Sequence, residues 1–331
     1  MEKIKWGILS TANIAQKELF PAFMRSTNAE VVAIASRNGN RARAVADKFQ
    51  IETVYNSYDE LLNDPAIQAV YIPLPNHLHK EWVIKAAEKG KHVLCEKPAG
   101  LDANEVKEMI AVCEENNVLF MEAFMYHFHP QHERVRQIID VGEIGEVKYM
   151  RAAFSFYLRD KEDNIRMGHV KGGGSLYDVG CYCIHSIRNI FREEPEIVYA
   201  DAVVDPHYTV DTDVYGQLLF ASGKRATFDA SFGLVNRNEY EVIGTKGKIV
   251  VPRAYRPDKK GGDGIVIVEK PEVTRKEIVN GDQYRNEIEH LSEAIQQGEK
   301  HLKLSHTNTI NNMKVMDACF ESMKTAEKYK M

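Results

Sequence analysis

The chain of 331 residues is longer than the size at which one hydrophobic core usually stops growing, so two domains are expected. Its 43 basic and 48 acidic residues give a formal net charge of -5, and no basic block resembles a surface for nucleic acid or anionic membranes. We therefore expect no nucleic-acid partner.

The sequence contains no recognisable targeting or membrane segment. The N-terminus MEKIKWGILS lacks a long apolar stretch followed by a small-residue cleavage site, and no apolar run approaches the roughly 18 residues that span a bilayer. The five cysteines show no paired metal-ligand spacing, so we expect reduced structural thiols. These features predict a cytoplasmic protein with no membrane partner and no metal.

The first 125 residues alternate between short β-branched runs and helical patterns. The runs are IKWGIL, EVVAIAS, AVYIPL, HVLCE and VLFMEA, and the helical patterns cover residues 13–26, 40–49, 77–89 and 102–116. Such alternation predicts βαβ units, and therefore a doubly wound α/β arrangement with a parallel sheet between two layers of helices.

The pattern changes from about residue 145. The runs EVKYMRAAFSF, VYGQLLFA, KRATFDASF, EYEVIGT and GKIVV follow one another at short spacing. The alternation within KRATFDASF is typical of an antiparallel sheet with one wet face. We predict an α+β second half with a helix at about 175–191 and two more near the C-terminus, and we place the domains at 1–124 and 125–331.

The segment GILSTANIA, which ends the first predicted strand, has the position of a dinucleotide-binding turn. Such turns carry glycine at three places, which here hold Ser10, Ala12 and Ala15. These residues are small enough to admit a phosphate to the amides of a helix N-terminus, although a tight connection without a ligand would suit them as well. The candidate phosphate contacts are Ser10, Thr11, Ala12, Asn13 and Ile14.

The second strand ends in ASRNGNRAR, which bears on the kind of dinucleotide. An NAD enzyme normally has Asp or Glu here for the ribose 2′-hydroxyl, whereas a nearby cation suits a 2′-phosphate. Ser36 and Arg37 occupy this position, and Arg41 follows within one helical turn. The sequence therefore favours NADP, with NAD as second choice, unless the arginines only form a solvated helix start.

The loop PLPNHLH follows the strand AVYI. Its prolines stop the strand, and Asn76 is well placed to cap the next helix. Loops at the carboxyl edge of a parallel sheet line the crevice in which ligands bind. Further candidate cofactor contacts are therefore Leu74, Pro75, Asn76 and His79.

The stretch LCEKPAG ends the next strand at the same edge. Glu96 and Lys97 are expected to emerge beside the nicotinamide end of a dinucleotide, and Pro98 fixes the backbone turn. A lysine in a partly desolvated site can donate to a hydroxyl or carbonyl oxygen. Taken alone, the motif is better explained as a surface lysine paired with Glu96.

A second polar set lies in GGGSLYDVGCYCIHSIRNIF. A turn of three glycines leads into a predicted helix that carries Asp178, Tyr182 and His185 at i, i+4 and i+7, on one face. Core packing does not explain these residues, and a solvated face would normally carry Lys and Glu instead. They are candidate catalytic residues.

Taken together, GILSTANIA, YIPLPNHLH, EKPAG, EAFMYHFHPQ and GGGSLYDVGCYCIHSIR resemble the family of glucose-fructose oxidoreductase, inositol dehydrogenase and the rhizopine-catabolism (GFO/IDH/MocA) oxidoreductases. The resemblance covers essentially the whole chain. It implies an N-terminal Rossmann domain and a C-terminal α+β domain with a large open, mostly antiparallel sheet that is commonly used in oligomer contacts. We therefore expect a homo-oligomer, either a dimer or a tetramer.

The resemblance also implies roles for the two polar sets. Lys97 matches the EKP lysine, and Asp178 matches the helix carboxylate. Tyr182 stands where inositol-dehydrogenase-like members have histidine, as in the dihydrodiol and xylose dehydrogenases, which pair this tyrosine with the lysine and prefer NADP. The expected reaction is reversible hydride transfer between nicotinamide and a secondary alcohol of a sugar, polyol or diol.

In that reaction Tyr182 is expected to relay the hydroxyl proton, and Lys97 to hold the oxygen. Asp178 is expected to bind a neighbouring hydroxyl, and His185 to complete the proton path. Which of Lys97 and Tyr182 is the formal acid–base stays open. Tyr126 and Arg166 are further candidate substrate contacts.

The chain departs from the family pattern at Ser10 and Ala12, which replace glycines, and at His127, where many relatives have arginine.

Two other functions stay open: redox-assisted glycoside cleavage with a retained nucleotide, and NADP sensing without turnover. Retention of both Lys97 and Tyr182 argues against a sensor, because a sensor requires neither.

Overall fold

A computed structural model describes residues 2–299 and 301–331. Internal contacts divide the chain into two compact units. The first unit comprises residues 2–125, 284–299 and 301–310, and the second comprises residues 126–283 and 311–331. The chain therefore returns to its first unit after residue 283, and the division at 124/125 into two domains stays a prediction.

The first unit is built on a six-stranded sheet, and every pair in it is parallel. Its strands are β1 (Ile4–Leu9), β2 (Ala29–Ala35), β3 (Thr53–Tyr55), β4 (Ala69–Ile72), β5 (His92–Glu96) and β6 (Phe120–Ala123). The spatial order is β3-β2-β1-β4-β5-β6, the doubly wound order in which ligands bind at the carboxyl ends of the strands. The predicted parallel sheet is confirmed.

Helices connect these strands. They are α1 (Phe20–Arg25), which continues a π-helical turn at Ala15–Leu19, α2 (Gly39–Phe49), α3 (Tyr58–Asn63), α4 (His79–Glu88) and α5 (Ala103–Glu115). Local capping explains where several of them begin: the side chains of Asn38, Ser57 and Asp102 accept from backbone N–H groups at the starts of α2, α3 and α5.

The second unit contains a nine-stranded sheet whose pairs are antiparallel, apart from β7 with β10. Its long strands are β7 (Val147–Ser155), β8 (Pro195–Val204), β9 (Asp211–Phe220), β10 (Arg225–Ser231), β11 (Arg237–Gly244), β12 (Lys248–Val251), β13 (Asp263–Lys270) and β14 (Val273–Asn280). The predicted large, mostly antiparallel sheet is confirmed.

Two helices of the second unit are α6 (Pro130–Asp140) and α7 (Cys181–Phe191). Helix α7 continues a π-helical turn at Leu176–Gly180, and we call the continuous element, residues 176–191, the polar helix. Nearly all of α7 is buried, because it packs against β7 and β10.

The opposite face of this sheet is polar. Along β10, Ala226, Phe228 and Ala230 are buried, whereas Arg225, Thr227 and Asp229 alternate with them on the other side. That side forms a concavity of about 820 Å³ whose lining includes Tyr149, Tyr199, Tyr215, Arg151 and Glu239. We call it the open sheet face.

The last elements are α8 (Gln283–Gln297), α9 (His306–Thr325) and the short strand β15 (Tyr329–Lys330). Apart from Gln283, helix α8 belongs to the first unit, where the buried Trp6 indole N–H donates to Ser292 Oγ at 3.1 Å. No helix within residues 2–299 and 301–331 combines the length and the apolar character that crossing a membrane requires.

Candidate active site

The first turn of the parallel sheet has the shape of a glycine turn without the glycine. Ser10 has a φ of 125°, in the region that L-residues rarely adopt. Its hydroxyl donates to the Pro73 carbonyl at 3.3 Å and accepts from the Ala12 N–H at 3.2 Å. The backbone at Ser10 therefore has a positive φ of the kind that glycine adopts most easily, and the flanking Thr11, Asn13 and Ile14 continue into the helix start.

A cationic patch follows β2. Ser36 is buried and accepts from the Asn38 N–H, whereas Arg37 and Arg41 are exposed at the start of α2. Burial raises the pKa of Tyr58, and the nearby Arg37, which hydrogen-bonds to the Tyr58 hydroxyl, lowers it in part. Cations at this position, without a carboxylate, suit a phosphate on the ribose.

The loop after β4 is tied to the turn after β5 by one histidine. The ring nitrogens of the fully buried His79 lie 2.9 Å from the Pro98 carbonyl oxygen and 2.8 Å from that of Leu74. Burial lowers its pKa to about 4, although the hydrogen bonds to the Leu74 and Pro98 carbonyls act in the opposite direction. Pro75 and Asn76 lie half-buried in the same loop. The predicted cap at Asn76 is wrong, because Asn76 begins a 3-10 turn and Leu78 holds the N-cap position of α4. Since His79 has no exposed surface, its direct contact with a cofactor stays a prediction.

The EKP turn begins at the carboxyl end of β5. Glu96 accepts from the Tyr71 hydroxyl at 2.5 Å, and the Lys97–Pro98 peptide bond is cis. Lys97 is half-buried, and the Ala99 N–H donates to Glu122 Oε1 at 2.9 Å. Two carboxylates thus bind the backbone of this turn: Glu96 of β5 accepts from the Lys97 N–H at 3.3 Å, and Glu122 of β6 accepts from the Ala99 N–H.

A third carboxyl group was not predicted from the sequence. Glu287 of α8 is 1% exposed, and burial, followed by the negative charge of Glu96, raises its pKa well above the ordinary range. A sequence signal for it exists: Tyr284, Glu287, Ile288 and Leu291 share one helical stripe, in which the glutamate is out of place.

The glycine turn of the second unit has a steric explanation. A side chain at 173 would meet the Arg166 carbonyl oxygen at 2.5 Å, and one at 174 would collide with the Asp211 carboxylate. Gly174 also has a φ of 114°. The turn therefore needs glycine, because backbone and a buried carboxylate occupy the space.

The polar helix carries three of the predicted catalytic residues, Asp178, Tyr182 and His185. Arg166 Nε donates to Asp178 Oδ2 at 2.6 Å, and the charge of Asp178 raises the pKa of the guanidinium. Arg166 was predicted as a substrate or loop contact. In the structure its guanidinium pairs with the Asp178 carboxylate. Tyr182 is 5% exposed, with its ring centroid 5.4 Å from that of Phe154 and 5.5 Å from that of Tyr255.

Tyr126 and His185 form a buried pair in the same unit. The Tyr126 hydroxyl lies 2.5 Å from His185 Nδ1, and burial raises the tyrosine pKa well above 10. Tyr126 therefore keeps its proton, and the two side chains share one hydrogen bond. Both side chains are almost fully buried, so the proposed contact of Tyr126 with substrate stays a prediction.

The histidines near Tyr126 have structural partners. His129 Nε2 lies 2.9 Å from the Gly262 carbonyl oxygen, and His132 lies between the Tyr240 hydroxyl and the Ala254 carbonyl. Among residues 2–299 and 301–331, no group of three or more His, Cys, Asp or Glu side chains could hold a metal ion.

In a comparison with known protein families, the chain matches two family models. The model of the oxidoreductase family with an NAD-binding Rossmann fold (GFO/IDH/MocA) matches residues 4–124, and the model of the GFO/IDH/MocA C-terminal domain matches residues 132–250. Together they cover most of the chain.

Individual relatives span nearly the full length. D-xylose 1-dehydrogenase (NADP(+)) 2 of Haloferax volcanii is 39% identical over 320 residues, which is 97% of each chain. Trans-1,2-dihydrobenzene-1,2-diol dehydrogenase of Mus musculus is 34% identical over 90% of each chain. The crystal structure of the 3-ketoreductase KijD10 from Actinomadura kijaniata with NADP and TDP-benzene has a TM-score of 0.92 at 29% identity, and it covers 97% of this chain and 98% of that one.

The buried Glu287 predicts a specific dependence of stability on pH. With a native pKa above the unfolded value, the native state holds a proton that the unfolded state releases, so stability falls as the pH rises above about 4.3 towards the native pKa. Glu287→Gln removes this loss. The free energy of unfolding of this variant, measured by denaturant titration and compared with that of the unmodified protein, should increase from pH 5 to pH 8 by up to about 1.4 kcal/mol per pH unit.

Glu289→Gln is the matched control on the same helix. Burial alone would raise the pKa of Glu289, but hydrogen bonds from Thr27 and Arg285 outweigh it and lower the pKa. This variant should therefore be less stable than the unmodified protein at neutral pH. Equal pH dependence of Glu287→Gln and the unmodified protein would show that Glu287 is not buried in the acid form.

Proposed function

The chain belongs to the GFO/IDH/MocA oxidoreductase family, and on that premise we propose that it transfers hydride between NADP(H) and a secondary alcohol or carbonyl of a sugar, polyol or diol. The observation that carries the proposal is the polar helix, which holds a paired carboxylate, Asp178, one turn from a nearly buried tyrosine, Tyr182. A helix that served only the core would not need either group.

The cofactor is proposed to be held by the turns of the first unit. Ser10 to Ile14 would bind the pyrophosphate with backbone amides, and Ser36, Arg37 and Arg41 would bind the 2′-phosphate. The xylose relative is named for NADP(+), and KijD10 was solved with NADP, which supports this choice. When bound, the nicotinamide ring supplies the acceptor or donor of the hydride.

The proton chemistry is proposed to lie with Lys97 and Tyr182, which act on the same substrate oxygen. A cation within about 4 to 6 Å favours the ionised form of a phenol, so the lysine would assist proton transfer by the tyrosine. Tyr182 is 5% exposed and packs against the rings of Phe154 and Tyr255, and exclusion of water strengthens such an electrostatic effect.

The other residues of the polar helix are proposed to orient the substrate and carry the proton away. Asp178, held by Arg166, would accept from a neighbouring hydroxyl. His185, which is hydrogen-bonded to Tyr126, would complete the proton path. The names of the xylose and dihydrodiol relatives support a substrate with adjacent hydroxyl groups.

A screen of aldoses, inositols and diols with NADP and NAD, followed by nicotinamide absorbance, tests the function. We expect stoichiometric reduction of cofactor, faster with NADP. Lys97→Ala and Tyr182→Phe should each lower kcat about a hundred- to ten-thousand-fold, the usual contribution of a positioned proton-transfer group. Binding of NADPH should be unchanged in Tyr182→Phe.

Two variants are matched controls. Lys89→Ala lies at the exposed end of α4, and Tyr177→Phe lies in the polar helix, where the Tyr177 ring packs on Phe320 of α9. Both should keep nearly full turnover. Release of sugar from a glycoside without net change in absorbance would instead identify the glycoside-cleaving reaction. Tight NADP binding with no turnover of any substrate would favour a sensor.

We also propose that the protein is a homo-oligomer assembled through the open sheet face. Tyrosine and arginine, which are enriched at protein interfaces, line this face together with acidic residues, as a self-complementary contact requires. Light scattering should give at least twice the 37.7 kDa chain mass, and Tyr215→Asp should lower it. A monomer at micromolar concentration would contradict this proposal.

A further inference from the structure

The polar helix takes its N-terminal hydrogen-bond acceptor from a distant strand. Ser175, which precedes its first residue, makes no side-chain cap. Instead, Oδ2 of Asp211, the first residue of β9, accepts from the Leu176 N–H at 2.7 Å and from the Ser175 hydroxyl at 2.9 Å. The first N–H groups of a helix have no partners within the helix, so Asp211 supplies the cap from outside.

The glycine turn fits around this carboxylate. Gly174 has no room for a side chain because Asp211 fills the space, and its N–H donates to the Arg166 carbonyl at 2.8 Å. Gly173 packs on the same carbonyl. The turn is therefore held on one side by Arg166 and on the other by Asp211.

The predicted catalytic residues Asp178 and Tyr182 follow these contacts within the next two turns of the helix. Asp178 lies two residues beyond Leu176, its N–H donates to the Gly174 carbonyl at 3.1 Å, and its carboxylate accepts from Arg166. Tyr182 follows one turn later. A shift of the first turn would therefore displace both Asp178 and Tyr182.

Burial disfavours the ionised form of the Asp211 carboxyl group. Asp211 is 6% exposed, and burial raises its pKa to about 6, although the hydrogen bonds from Leu176 and Ser175 act in the opposite direction. Burying a carboxyl group is unfavourable unless its hydrogen bonds are specific. Here both bonds of Oδ2 go to the start of the polar helix.

We propose that Asp211 is a positioning residue, which caps the polar helix from β9 and thereby fixes the placement of Asp178 and Tyr182. Its effect on turnover rests on the proposed function, whereas its effect on the helix does not. Asp211 makes no contact of its own with the reacting atoms in this proposal.

The structural test is hydrogen exchange of the full-length protein, read on the peptides that cover residues 174–181. Asp211→Ala should raise exchange there about tenfold, the order expected from loss of a helix cap. Asp211→Asn keeps an acceptor oxygen and should stay within about threefold of the unmodified protein. Ser175→Ala removes one of the two contacts and should lie between them.

The kinetic test uses the substrate found in the screen. Asp211→Ala should lower kcat about ten- to a hundredfold and leave the KM for NADP unchanged, because the cofactor is proposed to bind in the first unit. Asp211→Asn should restore most of the turnover. Asp213→Ala is the matched control: its carboxylate accepts from Thr212 and Ser231 and makes no contact with the helix start.

The proposal is overturned if Asp211→Ala matches Asp213→Ala in both exchange and kcat, or if either quantity changes without the other. If Asp211→Ala does not fold, Ser175→Ala and Asp211→Asn decide by the same criteria. If the unmodified protein turns over no alcohol, the proposed function fails, while the exchange experiment still decides whether Asp211 holds the helix.

Discussion

The second unit depends on one constraint, the fixed first turn of the polar helix. Its glycine turn lies between the Arg166 carbonyl and the Asp211 carboxylate, and neither position leaves room for a larger residue. From there the helix runs through a buried, aromatic environment in which side chains have few alternative positions. A residue such as Tyr182 is therefore oriented by packing before any ligand arrives, and this preorganisation is what proton transfer at a single oxygen requires.

The first unit shows a different arrangement, in which ionisable groups gather at strand ends. Glu96 accepts from Tyr71, Glu122 accepts from the Ala99 amide, and Glu287 lies buried close enough for the charge of Glu96 to raise its pKa. The strained Ser10 lies at another strand end. These features lie at the carboxyl edge of the sheet, which is where the proposed function places the cofactor.

Much of the fold could be predicted because its signals are local. The βαβ alternation and the glycine turn that precedes the polar helix are both visible within short windows. Other elements lack such a signal. Strand β14, VTRKEIVN, lies at the sheet edge with alternate residues exposed, so it has no apolar face to detect. Helix α8 is recognisable as a helix, but its return to the first unit depends on contacts such as Trp6 with Ser292, which are 286 residues apart.

The site was predictable to the same extent. Residue types on one helix face identified Asp178, Tyr182 and His185, but the partners that hold them are remote in sequence: Tyr126 for His185, and Asp211 for the helix start. Arg166 was identified only as a substrate or loop contact, because nothing in the spacing of twelve residues indicates an ion pair with Asp178. Long-range polar contacts are set by tertiary packing, which a single sequence does not encode in short windows.

In the proposed function, Lys97 and Tyr182 act on the same substrate oxygen. A double-mutant cycle tests this most directly. The quantity to measure is kcat/KM for the unmodified protein, Lys97→Ala, Tyr182→Phe and the double variant, with the same substrate and NADP. Groups that act as a unit are strongly non-additive, so the double variant should be about as slow as the slower single variant. If the two losses multiply in full, the residues act independently and the account is wrong.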